Sequence, residues 1–194
     1  MIRVKLVLIT TAFLFFLGDA VHCNLVSIAD TKSDKPVFEA SGALLKPESY
    51  RQWIFVGSSL GLSYAKNPGQ TTGTQLYHNV YINPSSYFEF AKTGKFPDGT
   101  MMILELASQE EKKEPGLQGS FEKEIVGLEA SVKDSTRFKE AWAYFNFTGA
   151  NGKFLPRAKA FPKEACWACH DVNAQTDHVF TQFYPILREV APKQ

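Results

Sequence analysis

Cys166-Trp167-Ala168-Cys169-His170 is the stretch whose residue types and spacing dictate chemistry most directly. Two cysteines three positions apart, with a histidine directly after the second, form the pattern of c-type haem attachment. One turn of backbone holds both thiols against one edge of a porphyrin, where each can add to a vinyl group. The adjacent imidazole then falls under the iron as its proximal ligand. A haem held this way cannot dissociate, so the far side of the iron can face an open, weakly packed pocket. A disulfide or a thioredoxin-like pair would have no use for His170, and a redox pair belongs in a βαβ context. Structural zinc needs four closed ligands; outside the pentapeptide the chain offers Cys23, His22, His78 and His178, with no second C-x-x-C. The expected cofactor is one covalently bound haem c per chain.

The N-terminus reads as an export signal. Arg3 and Lys5 form a basic start, and residues 6–17 are apolar but too short and too poorly flanked to span a membrane stably. Gly18-Asp19-Ala20 supplies the small residues that predict cleavage after Ala20, so residues 1–20 are a signal peptide directing the chain to the periplasm. Lipid attachment at Cys23 is the rival processing, although His22 stands where a small residue normally precedes such a cysteine. Loss of Arg3, Lys5 and Asp19 with the signal leaves the charges balanced, which gives no basis for binding nucleic acid or an acidic membrane surface. Cys23 itself reads as a free thiol on a loose arm.

The elements that must position the motif can be traced in order. Residues 21–45 are weakly periodic and read as an N-terminal arm that wraps the domain or is partly disordered. A single domain follows at 46–194, opening with a short helix near residues 47–53. Residues 75–82 alternate, with Leu76, His78, Val80 and Ile82 on one side and Tyr77, Asn79 and Tyr81 on the other. Asn83-Pro84 starts a helix that stops at Gly94. Phe96-Pro97-Asp98-Gly99 is a turn that launches a strand at 100–107. A charged surface loop is expected at 109–119, then strands at 124–132 and 141–147. After the haem motif, Thr176 or Asp177 caps a final helix bearing Val179, Phe180, Phe183 and Tyr184, which Pro185 kinks or restarts. The fold class is α+β: a mainly antiparallel sheet with a few helices, the haem packed on the sheet.

No methionine follows Cys169, and Met101 and Met102 lie on a strand far upstream, which disfavours the His/Met iron of electron-transfer cytochromes. His178 is either a distal ligand or an exposed residue in the first turn of the last helix, and His78 reads as a core histidine. Phe55, Phe88, Phe90, Phe145 and Phe147 could cap the iron or simply fill the core, and Trp167 could pack on the porphyrin rim or line a partner surface.

The chain resembles the cytochrome P-460 family, which includes the cytochromes c′-beta. The carrying residues are Asn79-Val80-Tyr81-Ile82-Asn83-Pro84, Gly94-Lys95-Phe96-Pro97-Asp98-Gly99-Thr100 ending at Glu105, the haem motif, and residues 177–184. The resemblance spans about residues 46–190. It implies a five-coordinate iron with His170 proximal, often in a homodimer. It also implies one of two activities: oxidation of hydroxylamine, or binding of nitric oxide and similar diatomic ligands behind an apolar cap. Oxidising members carry a lysine cross-linked to the porphyrin, and Asn79 stands at that position here, which argues against the oxidase reading. Glu105 corresponds to their acidic residue over the distal haem face, where it would relay protons; its plain alternative is a carboxylate reaching water at a strand end. The functions left open are a nitric-oxide-binding haem protein, a hydroxylamine oxidoreductase and an electron-transfer cytochrome with a redox partner protein.

Overall fold

The computed structural model describes residues 33–62 and 75–193. The expected signal, Cys23 and the arm before residue 33 lie outside them. In chain order the strands and helices are β1 (Leu44–Leu45), β2 (Ile54–Leu60), β3 (Leu76–Ile82), α1 (Pro84–Thr93), β4 (Met101–Lys112), β5 (Gly119–Lys133), β6 (Trp142–Asn146), β7 (Arg157–Ala158), α2 (Trp167–Asn173) and α3 (Pro185–Val190). Strands β2 to β6 form one antiparallel sheet in sequence order, and β1 pairs with β7 in a separate ladder. A meander of this kind needs only local connections.

Period-two alternation gives the sheet two apolar faces. Met101, Ile103, Leu128, Ala130, Val132, Ala143 and Phe145 build one core, closed by Leu44, Tyr50, Trp53 and Ala158. Val80, Ile82, Met102, Trp142 and Tyr144 build the other, closed by Phe90, Phe96, Val179 and Leu187. The successive residues Met101 and Met102 therefore lie in different cores. Cys166 and Trp167 pack against the second core, so the haem motif belongs to that face.

Helix α1 begins at Pro84 and ends at Gly94, whose φ of 72° is the left-handed conformation that stops a helix. Asn83 precedes it but makes no side-chain cap. Its buried amide is spent on β4 instead: Nδ2 donates to the Gly99 carbonyl at 3.1 Å, and Oδ1 accepts from the Met101 N–H at 2.8 Å. This locks the helix start to the 96–99 turn.

Three expectations are corrected. The expected helix near 47–53 is a 3-10 turn at Tyr50–Gln52, and the strand that follows, β2, continues through Gly57, Ser58 and Ser59, whose composition hides it. The expected charged loop at 109–119 is shorter, covering 113–118, since β4 runs to Lys112 and β5 starts at Gly119. Water solvates both faces of that extension, so no apolar period marks it. Thr176 and Asp177 open no helix; Thr176 forms an isolated bridge with Val179, a 3-10 turn follows at Thr181–Phe183, and Pro185 starts α3 afresh. Of the arm, residues 33–45 pack on the domain, with Leu44 fully buried and Phe38 against the first core.

Candidate haem site

Helix α2 is a single short helix with no buried residue. Cys166 precedes its first turn and is half-buried, Cys169 is exposed, and both thiols are free. One turn apart on an open helix, the two sulfurs can reach one edge of a flat ligand. Burial, with the Glu129 carboxylate next in weight, pushes the Cys166 thiol up and keeps it protonated. Asn173 closes the helix, its Nδ2 donating to the Cys169 carbonyl at 2.9 Å.

His170 is held on three sides. Its ring lies between Tyr144 and Phe180, each with a centroid 4.5 Å away. Its Nδ1 is 2.7 Å from the His178 carbonyl oxygen, which can only accept, so Nδ1 carries the proton. That leaves the Nε2 lone pair for a metal. Burial lowers the imidazole's pKa, outweighing the hydrogen bond to His178, and so favours the neutral ligand form. A donor bond of this kind also fixes the ring plane and raises ligand basicity.

The carbonyl that accepts this bond comes from a strained segment. Asp177 and His178 both have positive φ, 43° and 62°, without being glycine. Conformations of this kind cost about 1–3 kcal/mol each and persist only where surroundings over-determine them. Asp177 supplies the fixing: Oδ1 accepts from Trp142 Nε1 at 3.0 Å, and Oδ2 from Lys133 Nζ at 2.7 Å. Lys133 Nζ also donates to the Phe96 carbonyl at 2.8 Å, which joins the 96–99 turn to the haem segment.

His178 is not an exposed first-turn residue of a helix. Its ring packs beside Trp167 at 5.1 Å, and its Nδ1 is buried without a partner. Trp167 itself donates from Nε1 to the Glu140 carbonyl at 3.3 Å and carries Lys163 over its ring at 4.1 Å. Tyr144 is 8% exposed, and its hydroxyl is the other buried side-chain polar atom among the described residues with no partner. Burial raises that phenol, reinforced by the neighbouring Cys166 and Asp177. An orphaned hydroxyl beside the cysteines marks a place where something outside the chain completes the contacts.

Asn79 and Glu105 are paired directly across β3 and β4. They share the face of Ile103 and Leu128, whereas His170 packs on Tyr144 of the opposite face. This alternation puts the sheet between Glu105 and the His170 ring, an arrangement that does not favour the expectation of Glu105 over the haem. Glu105 is 3% exposed and does not reach water either. Its Oε2 accepts from the Tyr50 hydroxyl and from Arg51 Nε and Nη2, at 2.9 and 2.6 Å for the two nitrogens. Burial, then the bond to Glu105, raises the Tyr50 phenol far above its usual range. Asn79 donates from Nδ2 to Glu122 Oε1 at 2.7 Å. His78 does lie on the haem-motif face, buried, with Nδ1 3.1 Å from the Leu76 carbonyl. Of the aromatic candidates, Phe90, Phe145 and Phe147 are core, while Phe55 and Phe88 are exposed.

The sequence reading missed Tyr144, Phe180, Asp177, Trp142 and Lys133 as site residues. Strand alternation could have put Trp142 and Tyr144 on one face, but nothing local ties that face to a motif two dozen residues later. It also missed Glu129, a carboxylate of the haem-motif face opposite Leu104 and Asn146, whose pKa burial raises.

These residues fit a covalently held haem: two accessible thiols one turn apart, and a neutral imidazole with Nδ1 engaged and Nε2 left for iron. Among the described residues no three His, Cys, Asp or Glu side chains are grouped to hold a bare metal ion. Comparison with curated proteins gives no match. The family model Cytochrome P460 matches residues 47–181, from the turn that carries Tyr50 to the 3-10 turn after the haem motif. With the motif, its supporting sheet face and a match across most of the domain in agreement, the chain belongs to the cytochrome P460 family of c-type haem proteins.

Proposed function

We propose that the chain carries one haem c, joined through Cys166 and Cys169 and ligated by His170, whose iron keeps its distal side for a small N/O ligand such as nitric oxide. The haem supplies the iron that binds the ligand. The protein holds His170 neutral, fixes its ring and donates from Nδ1 to the His178 carbonyl.

What carries the reading is the whereabouts of the other candidates for a second axial ligand. His178 lies behind His170, its own carbonyl bonded to Nδ1, the atom remote from the metal. Met101 and Met102 are 1% and 5% exposed, enclosed in two different cores. Among the described residues, no third methionine or other histidine besides the buried His78 remains to compete for the iron. A neutral diatomic ligand needs little more than that. The oxidase reading has less support, since Asn79 cannot cross-link and Glu105 sits across the sheet. The export signal makes the periplasm the proposed compartment; a homodimer is proposed from the family resemblance, and a redox partner protein belongs with the electron-transfer alternative.

The test is the optical spectrum of the purified, dithionite-reduced protein, before and after adding nitric oxide. A broad high-spin spectrum that nitric oxide converts is the expected result. A sharp, split low-spin spectrum in the ligand-free protein would sink the open-iron reading in favour of electron transfer. A strongly red-shifted main band would signal a modified porphyrin and return hydroxylamine oxidation to the front.

A further inference from the structure

We propose that Asp177 is a positioning residue for the proximal ligand: with Trp142 and Lys133 it holds the left-handed 177–178 turn that delivers the His178 carbonyl to Nδ1 of His170. The inference rests on the haem reading above and goes beyond it by naming what sets the donor strength of His170 toward the iron.

The argument is geometric. A backbone carbonyl can be aimed at an imidazole by an ordinary turn, yet here it is aimed by two consecutive non-glycine residues with φ of 43° and 62°. L-residues avoid this region because Cβ crowds the carbonyl, so left to itself the segment would relax and the 2.7 Å bond would lengthen. Asp177 is the residue best placed to prevent that. Both of its carboxylate oxygens are used, one by the Trp142 indole and one by the Lys133 ammonium. Trp142 is buried on β6 and Lys133 ends β5, so both anchors belong to rigid sheet. The far side of the segment is tied as well: Thr176 Oγ1 and Thr181 Oγ1 are 2.9 Å apart, and Gln182 Nε2 donates to the Asn173 carbonyl at 2.8 Å. The Nδ1–H···O bond gives the imidazole anionic character and strengthens its donation through Nε2. Lys133 also holds the Phe96 carbonyl, so the 96–99 turn and the proximal ligand are parts of one structure.

The test uses the haem-loaded protein and two readouts that a merely structural role would leave in place. These are the reduction potential and the iron–histidine stretching frequency of the reduced, ligand-free form. Asp177→Ala is expected to raise the potential and lower the frequency. Asp177→Asn, which tolerates the left-handed region and can still accept from Trp142, should restore most of both. His178→Asn keeps the carbonyl and should leave both near the parent. An Asp177→Ala protein with unmoved potential and frequency overturns the proposal, and so does a His178→Asn protein shifted as far as Asp177→Ala. Should Asp177→Ala not fold, Trp142→Phe and Lys133→Met each remove half of the clamp: partial shifts in the same direction support it, and none overturns it. A parent protein that yields no covalent haem, read by the pyridine haemochrome, overturns the haem reading itself. Loaded haem with unmoved variants overturns the clamp alone.

Discussion

A carboxylate relays protons only where its proton can reach the ligand, and Glu105 is walled in by Tyr50 and Arg51 on the face away from His170. Its contribution is then to stability. Tyr50→Phe removes one of the donors on a buried carboxylate and should cost about 1–2 kcal/mol in denaturant unfolding, with the haem spectrum and its response to nitric oxide unmoved. A spectral change in Tyr50→Phe would restore Glu105 to the distal side. His78 offers a pH signature at the same scale. Burial lowers its pKa in the folded protein, so between that value and about 6.5 the unfolded chain binds more protons. Its contribution is fully present above about pH 6.5 and is lost as pH falls through the folded pKa. His78→Gln should flatten that part of the stability profile measured by urea titration from pH 7 to 5; an unchanged slope would contradict the burial penalty.

Strand and helix boundaries show which physics is legible in a chain. β3 was readable because its two faces meet different surroundings, and α1 because Asn83, Pro84 and Gly94 punctuate it within a dozen residues. Gly94 gives that legibility a number: alanine there must hold φ near 72° with its Cβ 3.4 Å from Pro192, so Gly94→Ala should lose about 1 kcal/mol by thermal unfolding. The outer halves of β4 and β5 were not readable, because charged side chains alternate there with nothing buried to select a period. The haem pentapeptide was legible as chemistry for a different reason, since its spacing is set by the porphyrin and not by the fold. Its supports were hidden because they are carried by Trp142, Tyr144 and Lys133, and the sheet rather than the sequence brings these to Asp177 and His170. The resemblance singled out Asn79 and Glu105 separately, and the structure pairs them across β3 and β4. What it left out was that period-two geometry hands the next residues, His78 and Leu104, to the haem-motif face.

For the molecule as a whole, the sheet is self-sufficient. Its two cores close with no contribution from Cys169, Cys166 and Trp167 pack on the second core only partly buried, and no residue of α2 is fully buried. A Cys166→Ala, Cys169→Ala double variant should therefore lose covalent haem yet keep its β-sheet circular dichroism and a cooperative unfolding transition. Collapse of both signals would mean that the cofactor is part of the core.

That self-sufficiency has a consequence in time. All five strands of the meander lie between residues 54 and 146, ahead of the motif at 166–170. A chain appearing N-terminus first therefore presents Trp142 and Tyr144 on a nearly complete sheet before either thiol follows. Cys166 then arrives half-buried just before α2, and Cys169 on α2 faces outward. The order of synthesis puts the meander ahead of the haem motif, while Val179 and Leu187, which close the core on that face, come after it.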